Sequence, residues 1–299
     1  YDREIVERER GQLLRRIRAL RDDRSSWAEQ RFLEVMCEGE AYARPSWGSE
    51  AEVEALSVED LEAARQSLLQ RARIVAVAIG PLEPAELADY LSAWFGARPE
   101  PPRWEEPAAK LPVTRRSIRE EVGCDQARFH AGFRCPMPAD PRAREALALA
   151  VSVLGGGVHG RLFRIVREQR SQAYSIHAQL RARKGLMTVE AGLDAAHAAS
   201  VSEEVDKQIA DLAERGPAPE ELEHARRFLC DRLTSLGDSP SGLLAYLARE
   251  RALGLARAPA ERIAWLQSLT PADVAVAARR WIPDTNYLLA PPTPVLAAP

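Results

Sequence analysis

The sequence predicts an α+β protein built as two copies of one domain, and three observations predict it: helix and strand periodicities are mixed in both halves, a segment of the first half recurs in the second, and a proline-rich stretch separates them. The recurrence is the most informative of these. Leu56-Ser57-Val58-Glu59-Asp60-Leu61 returns as Leu269-Thr270-Pro271-Ala272-Asp273-Val274, 213 residues later, and at the same offset the apolar run from Ile74 meets Tyr287-Leu288-Leu289. Asp2 to Asp22 resembles Pro219 to Ser239 at an offset of 217, both charged amphipathic helices. About 100 residues between the boundary and Pro219 have no counterpart before Tyr1 on this alignment, so the first copy is expected to be incomplete.

In chain order, Ile74 to Ile79 is an apolar run ended by Gly80-Pro81, which predicts a buried strand; Leu87, Tyr90, Leu91, Trp94 and Phe95 then follow at helical spacing. From Gly96 to Pro112 come Pro99, Pro101, Pro102, Pro107 and Pro112 with few apolar residues, the composition of an extended linker. This divides the chain into residues 1–96, the C-terminal part of a first domain, a linker over 97–112, and a second domain over 113–299. Gln126 to Phe133 reads as a strand, and Asp140-Pro141 as an N-cap with proline at the first helical position of an apolar helix ending at Gly155. Tyr174 to Ala182 and Leu186 to Leu193 alternate around Arg183-Lys184-Gly185 as two paired strands do. Val201, Val205, Ile209 and Leu212 share one helix face that stops at Gly216-Pro217.

Composition narrows the function classes. The 299 residues are 46% hydrophobic and 28% charged with a net charge of -3, and Lys and Arg are interspersed with Asp and Glu. No basic stripe exists to follow a phosphate backbone, which argues against nucleic acid. No apolar run approaches the roughly 20 residues that span a bilayer, and Tyr1-Asp2-Arg3-Glu4 is no signal-peptide h-region, so a soluble chain without membrane partners is expected. The chain opens without an initiator Met, so cytoplasm and periplasm both stay open as compartments. Cys37, Cys124, Cys135 and Cys230 form no C-x-x-C pair and read as buried free thiols. Of His130, His159, His177, His197 and His224, no two stand three to five residues apart as zinc ligands on one helix do. His224, after Glu220, Glu221 and Glu223, reads as part of a solvated helix face, and a Cys124-His130-Cys135 cluster as ordinary strand positions.

The segment of greatest specificity is Leu154-Gly155-Gly156-Gly157-Val158-His159-Gly160-Arg161-Leu162-Phe163-Arg164-Ile165-Val166-Arg167-Glu168-Gln169-Arg170-Ser171-Gln172-Ala173-Tyr174. Glycines end one helix and start another, whose apolar face is Leu162, Phe163 and Val166, and a strand follows. A glycine triplet, then Arg-Leu-Phe, Val-Arg-Glu and Ala-Tyr-Ser, resembles the C-terminal domain of insulinase-like (pitrilysin-type) zinc metallopeptidases, which carry an inverted zinc motif. Gln126, Glu220-Glu221-Leu222, Leu269-Thr270 and Asp273-Val274 extend the resemblance over most of the chain, as does Glu9-Arg10 followed by Leu13-Leu14-Arg15-Arg16-Ile17. Ser171-Gln172 departs from the family's usual Gly-Leu, and Val158-His159-Gly160 from its small hydroxyl residues.

The resemblance implies two homologous domains of the mitochondrial-processing-peptidase-like metallohydrolase type, each a mostly antiparallel sheet packed with helices. It further implies that Arg167 and Tyr174 form the family's pair facing a zinc across a chamber, where a guanidinium and a phenol stabilise charge on the scissile carbonyl oxygen. Gly155, Gly156 and Gly157 are expected to let backbone approach closely beside this surface, where substrate binds. The family's third zinc ligand is a Glu seven residues after an earlier Glu; counting from Glu9, that position holds Arg16, which cannot donate a lone pair to a metal. No H-x-x-E-H motif is present either. The expectation is therefore a subunit without its own cofactor, whose zinc lies on an H-x-x-E-H-bearing homologous partner. In that heterodimer it helps cleave peptides or small polypeptides, bound as an added strand, and is inactive alone. Two other classes compete: a purely structural or peptide-binding pseudopeptidase subunit, and a self-sufficient hydrolase, whose cleavage would be insensitive to chelators.

Overall fold

A computed structural model describes residues 1–81, 83–96 and 110–292. The expected linker lies, from 97 to 109, outside these residues. The elements in order are helices α1 (Arg3–Leu20), α2 (Arg24–Met36), α3 (Glu50–Ala55), α4 (Val58–Arg71) and α5 (Pro84–Phe95), strands β1 (Arg116–Glu121) and β2 (Ala127–Arg134), and α6 (Pro141–Gly155). A π-helical segment (Phe163–Gln169), β3 (Ala173–Arg181), β4 (Leu186–Leu193), α7 (Ala198–Arg215), α8 (Pro219–Thr234), α9 (Pro240–Ala252), α10 (Pro259–Ser268), α11 (Pro271–Ala278) and β5 (Ile282–Ala290) follow. The chain forms two compact units, one of Tyr1–Ala19, Ser46–Ala108 and Ser235–Arg257, the other of Leu20–Pro45, Ala109–Thr234 and Ala258–Pro299. A single change of unit over 97–112 was expected; the chain also changes at Leu20, Ser46, Ser235 and Ala258. The physical reason in the first half is α2, which buries Ala28, Phe32 and Met36 in the same core as Tyr287 and Leu289 of β5.

The second unit is a five-stranded sheet in the order β1-β5-β2-β4-β3, with β1 parallel to β5 and the remaining pairs antiparallel. Asp140 caps α6 by accepting from the N–H groups of Arg142 and Ala143, with Pro141 at the first helical position. The helix packs so closely on β3 that a Cβ on Gly155 would stand 2.9 Å from the backbone nitrogen of Ala178. α7 ends at Gly216, whose φ of 74° lies in the left-handed region that glycine tolerates. The opposite sheet face takes α2. Gly132 of β2 makes room for it: a Cβ there would overlap the sulfur of Met36 and lie 2.7 Å from Phe32 Cζ. Gly132→Ala is therefore expected to overpack this contact and destabilise the protein by about 1–3 kcal/mol, read as a lower urea midpoint.

In the first unit, α1 is tied to α3 by Arg10, which donates to the carbonyls of Val53 and Glu54, each at 2.8 Å, and so satisfies the end of that helix. α4 begins with a capping box between Ser57 and Asp60, and α11 in the second unit with the same box between Thr270 and Asp273. The repeated sequence thus makes the same local structure twice. The strand expected over Ile74–Ile79 does not form: these residues are irregular, and Ile74 and Ile79 are exposed. Its counterpart β5 is a strand because β1 and β2 supply hydrogen-bonding edges on either side; among the described residues no strand pairs with 74–79. Helix α5 forms as expected, with Tyr90 and Trp94 exposed.

Candidate functional site

The glycine-rich segment forms a loop after α6 and then a widened helical turn. Arg170 N–H donates to the Ile165 carbonyl at 3.1 Å and Gln172 N–H to Val166 at 2.9 Å, spacings longer than those of an α-helix. Such π-turns concentrate at functional sites because the inserted residue reorients side chains on one face. Leu162 and Val166 anchor the turn in the core. Ser171, where the resembling family has glycine, has φ 52°, the one non-glycine residue with positive φ among the described residues.

Charged side chains pin this turn at both ends. Arg161, 5% exposed, donates to both carboxylate oxygens of Glu221, to Asp211 at 2.8 Å and to the Gly216 carbonyl at 3.1 Å. Arg164 reaches the same Glu221 at 2.6 Å. Burial pushes the Glu221 carboxyl up, but hydrogen bonds from Arg161 and the Ala218 N–H, with the charges of Arg161 and Arg164, outweigh it and hold it below the usual range. At the far end Arg170 pairs with the buried Glu204 at 2.9 Å, and Gln172 donates to Ser200 Oγ at 3.1 Å, which turns its amide toward α7.

Between these anchors and just past the second, the two sequence-predicted residues, Arg167 and Tyr174, face outward. Tyr174 is 59% exposed, and its hydroxyl makes no hydrogen bond to a described residue. It is the extra residue where the β3–β4 register shifts between Ala173 and Ser175. Arg167 is exposed, and its guanidinium lies 4.6 Å from the centroid of the Phe163 ring four residues earlier, so its stacking partner is Phe163 rather than Tyr174. Of the glycines, Gly155 is buried against Ala178, Gly156 caps α6, and Gly157, with φ 156°, has open space where a Cβ would stand. Gly160 packs on Gly155: a Cβ there would meet Gly155 Cα at 2.7 Å.

Sequence reasoning missed a polar row across the α2 face of the sheet. His177 of β3, Glu190 of β4, His130 of β2 and Tyr287 of β5 pair in register, a juxtaposition that strand pairing creates and chain spacing conceals. His177 Nε2 stands 3.5 Å from Glu190, which also accepts from Ser25 Oγ at 3.1 Å. His130 is 2% exposed, stacks on Phe32 with centroids 5.1 Å apart, and has an Nε2 without a hydrogen-bond partner. Burial, with the nearby charges of Arg181, His177 and Arg128, pushes its pKa down to about 3. The unfolded chain takes up a proton near pH 6.5 and the folded one does not, so this contribution to stability is complete above pH 6.5 and drains as pH falls toward 3. The expected loss approaches about 1.4 kcal/mol per pH unit, and His130→Leu flattens it, as urea midpoints at pH 6.5, 5.5 and 4.5 would reveal.

Arg16 is exposed on α1, and among the described residues no three His, Cys, Asp or Glu side chains are placed to hold a metal. His159 and His224 do meet, ring centroids 5.9 Å apart, without a third ligand. The donors among the described residues thus do not fit a zinc site. The cysteines are all free, and burial pushes the thiols of Cys37 up to about 11 and Cys135 up to about 12, which keeps them protonated and unreactive. No helix among the described residues is long and apolar enough to cross a membrane.

Comparison with known proteins gives these features a family. A probable inactive metalloprotease of Bacillus subtilis, YmfF, is 21% identical over 97% of this chain and 68% of its own length. An uncharacterized zinc protease of Streptomyces coelicolor is 27% identical over 92% of this chain and 62% of its own. The chain thus spans about two thirds of the curated relatives it matches. Among solved structures, a conserved protein from Enterococcus faecalis superposes with a TM-score of 0.86 at 20% identity, covering 98% of this chain and 70% of that one. The peptidase M16 inactive domain from Pseudomonas fluorescens gives 0.80 at 19%, covering 98% and 72%. These likenesses establish the α+β fold. Residues 55–229, more than half of the chain, match the family model described as the peptidase M16 inactive domain, and the chain belongs to the M16 metallopeptidase family as a form with the features of that inactive domain.

Proposed function

We propose that this chain is the zinc-less subunit of a heterodimeric metallopeptidase, and that Arg167 and Tyr174 complete a site whose metal and H-x-x-E-H motif belong to a homologous partner. One observation carries the reading: two side chains suited to an oxyanion stand exposed, without polar partners among the described residues, on a turn that ion pairs pin at both ends and on the strand that follows it. A site of this kind is useful only if its donors are fixed before charge develops. In the complex, the partner's metal would supply the activated water. The Tyr174 hydroxyl donates a hydrogen bond to the scissile carbonyl oxygen, and the Arg167 guanidinium swings from Phe163 to neutralise the charge that grows there. The substrate is an extended peptide that adds to the free edge of β3, beginning next to Tyr174, with Gly157 leaving space beside it.

The test is peptide hydrolysis by the complex captured on tagged protein from native extract, with and without a zinc chelator, compared with the isolated chain. Chelator-sensitive cleavage by the complex and none by the isolated chain supports the split site. Peptide binding without cleavage in the intact complex identifies a pseudopeptidase subunit instead, and chelator-insensitive cleavage by the isolated chain overturns both readings.

A further inference from the structure

Arg128 of β2 makes no ion pair among the described residues, although it lies close enough to the Asp23 carboxylate to lower its pKa. It pairs in register with Gly192 of β4, and Gly192 pairs with Ser175 of β3, so the three make one row on the α2 face of the sheet, beside Tyr174. The guanidinium lies across the glycine: a Cβ on Gly192 would collide with Nη1 of Arg128 and stand 3.0 Å from Ser175 Oγ. Arg128 Nε is buried with no acceptor, and no ion pair among the described residues includes this side chain. The acidic groups nearby are engaged elsewhere. Asp23, whose carboxyl is lowered chiefly by the Ser26 hydroxyl and also by the Arg128 charge, caps α2 through the N–H groups of Ser25 and Ser26. Glu190 accepts from Ser25 and faces His177. Ser175 Oγ accepts from the Gly192 N–H at 3.3 Å and keeps its own proton to donate.

A half-buried guanidinium presents a planar fork of donors that matches a carboxylate, and leaving it unpaired costs desolvation without return. A side chain at 192 would fill the floor on which that fork rests. We infer that Arg128, on the Gly192 floor and with the Ser175 hydroxyl, is a carboxylate subsite for the peptide that lies along β3. The carboxylate is either an acidic side chain or the terminal carboxylate of the peptide. Its identification as a peptide group rests on the proposed function; the recognition of a carboxylate needs no partner subunit and no metal.

The experiment is titration of the full chain with four fluorescent extended peptides: one with a central Glu and a free C-terminus, its Gln analogue, its C-terminal amide, and the form with both changes. Wild type is expected to bind the first about tenfold or more tighter than the last, as a charge-assisted pair provides. Whichever single change removes the preference names the source of the carboxylate. Arg128→Gln should abolish the preference, and Gly192→Ala, which keeps the charge but displaces the guanidinium, should weaken it, with thermal melts confirming that each variant is folded. Equal affinity of wild type for all four peptides, no binding of any of them, or a preference that survives Arg128→Gln in folded protein overturns the subsite. A preference that persists in Tyr174→Phe, while captured complexes cleave nothing, would sink the peptidase reading and leave the subsite standing.

Discussion

Tyr174→Phe is expected to lower chelator-sensitive hydrolysis by the captured complex on the order of a hundredfold or more, the usual consequence of removing one donor to a developing oxyanion. The substitution deletes a single oxygen from an exposed side chain whose hydroxyl bonds no described residue. The melting temperature and partner retention should therefore be unchanged, and the loss should fall on kcat more than on KM because the hydrogen bond strengthens as charge builds. Full activity in Tyr174→Phe would remove the phenol from the mechanism, whereas loss of the partner on capture would place Tyr174 at an interface.

The second large effect concerns folding. Arg134→Ala is expected to cost about 3–5 kcal/mol, because it strands carboxylates in a nearly dry site. The guanidinium donates to Asp284 at 2.6 Å and to the Met36 carbonyl at 2.7 Å, and stands 2.8 Å from Glu40; Arg134 and Asp284 are both 3% exposed. Thr285 Oγ1 also donates to Asp284, and Arg116 pairs with it at 3.5 Å, a longer and half-exposed contact that replaces only part of the lost interaction. The double variant Arg134→Met with Asp284→Asn should recover much of the loss, since the buried charge is removed with its partner. Urea unfolding of the two variants checks both statements; a single variant as stable as wild type would mean that water enters the site and solvates Asp284.

Arg134 also links α2 to the sheet through the Met36 carbonyl, and it marks where chain order stops being a guide. Local signals read correctly where the physics is local. The Asp140-Pro141 start of α6, the Gly216 stop of α7 and the hairpin around Gly185 depend on residues within four or five positions of one another. Ile74–Ile79 failed for the converse reason: a strand is made by its neighbours, and an apolar run alone supplies no hydrogen-bonding edge.

For the candidate site, the residues Arg167 and Tyr174 were legible in the motif, but their setting was not. The π-turn, the positive φ of Ser171 and the stacking of Arg167 on Phe163 appear only in the folded segment, which ion pairs hold to α7 and α8. The row His177-Glu190-His130 and the row Ser175-Gly192-Arg128 join residues from 13 to 64 positions apart and exist only because strand register sets them side by side. Amino-acid order by itself determined the α+β class, the repeated segment and the family likeness, since each is a property of residue type at short spacing. Tertiary structure alone decided that α2 belongs to the core of the second unit, that no strand among the described residues pairs with 74–79, and that the buried Arg128 Nε finds no acceptor among them. Those outcomes depend on which distant surfaces exclude water from one another, a quantity that no stretch of sequence contains.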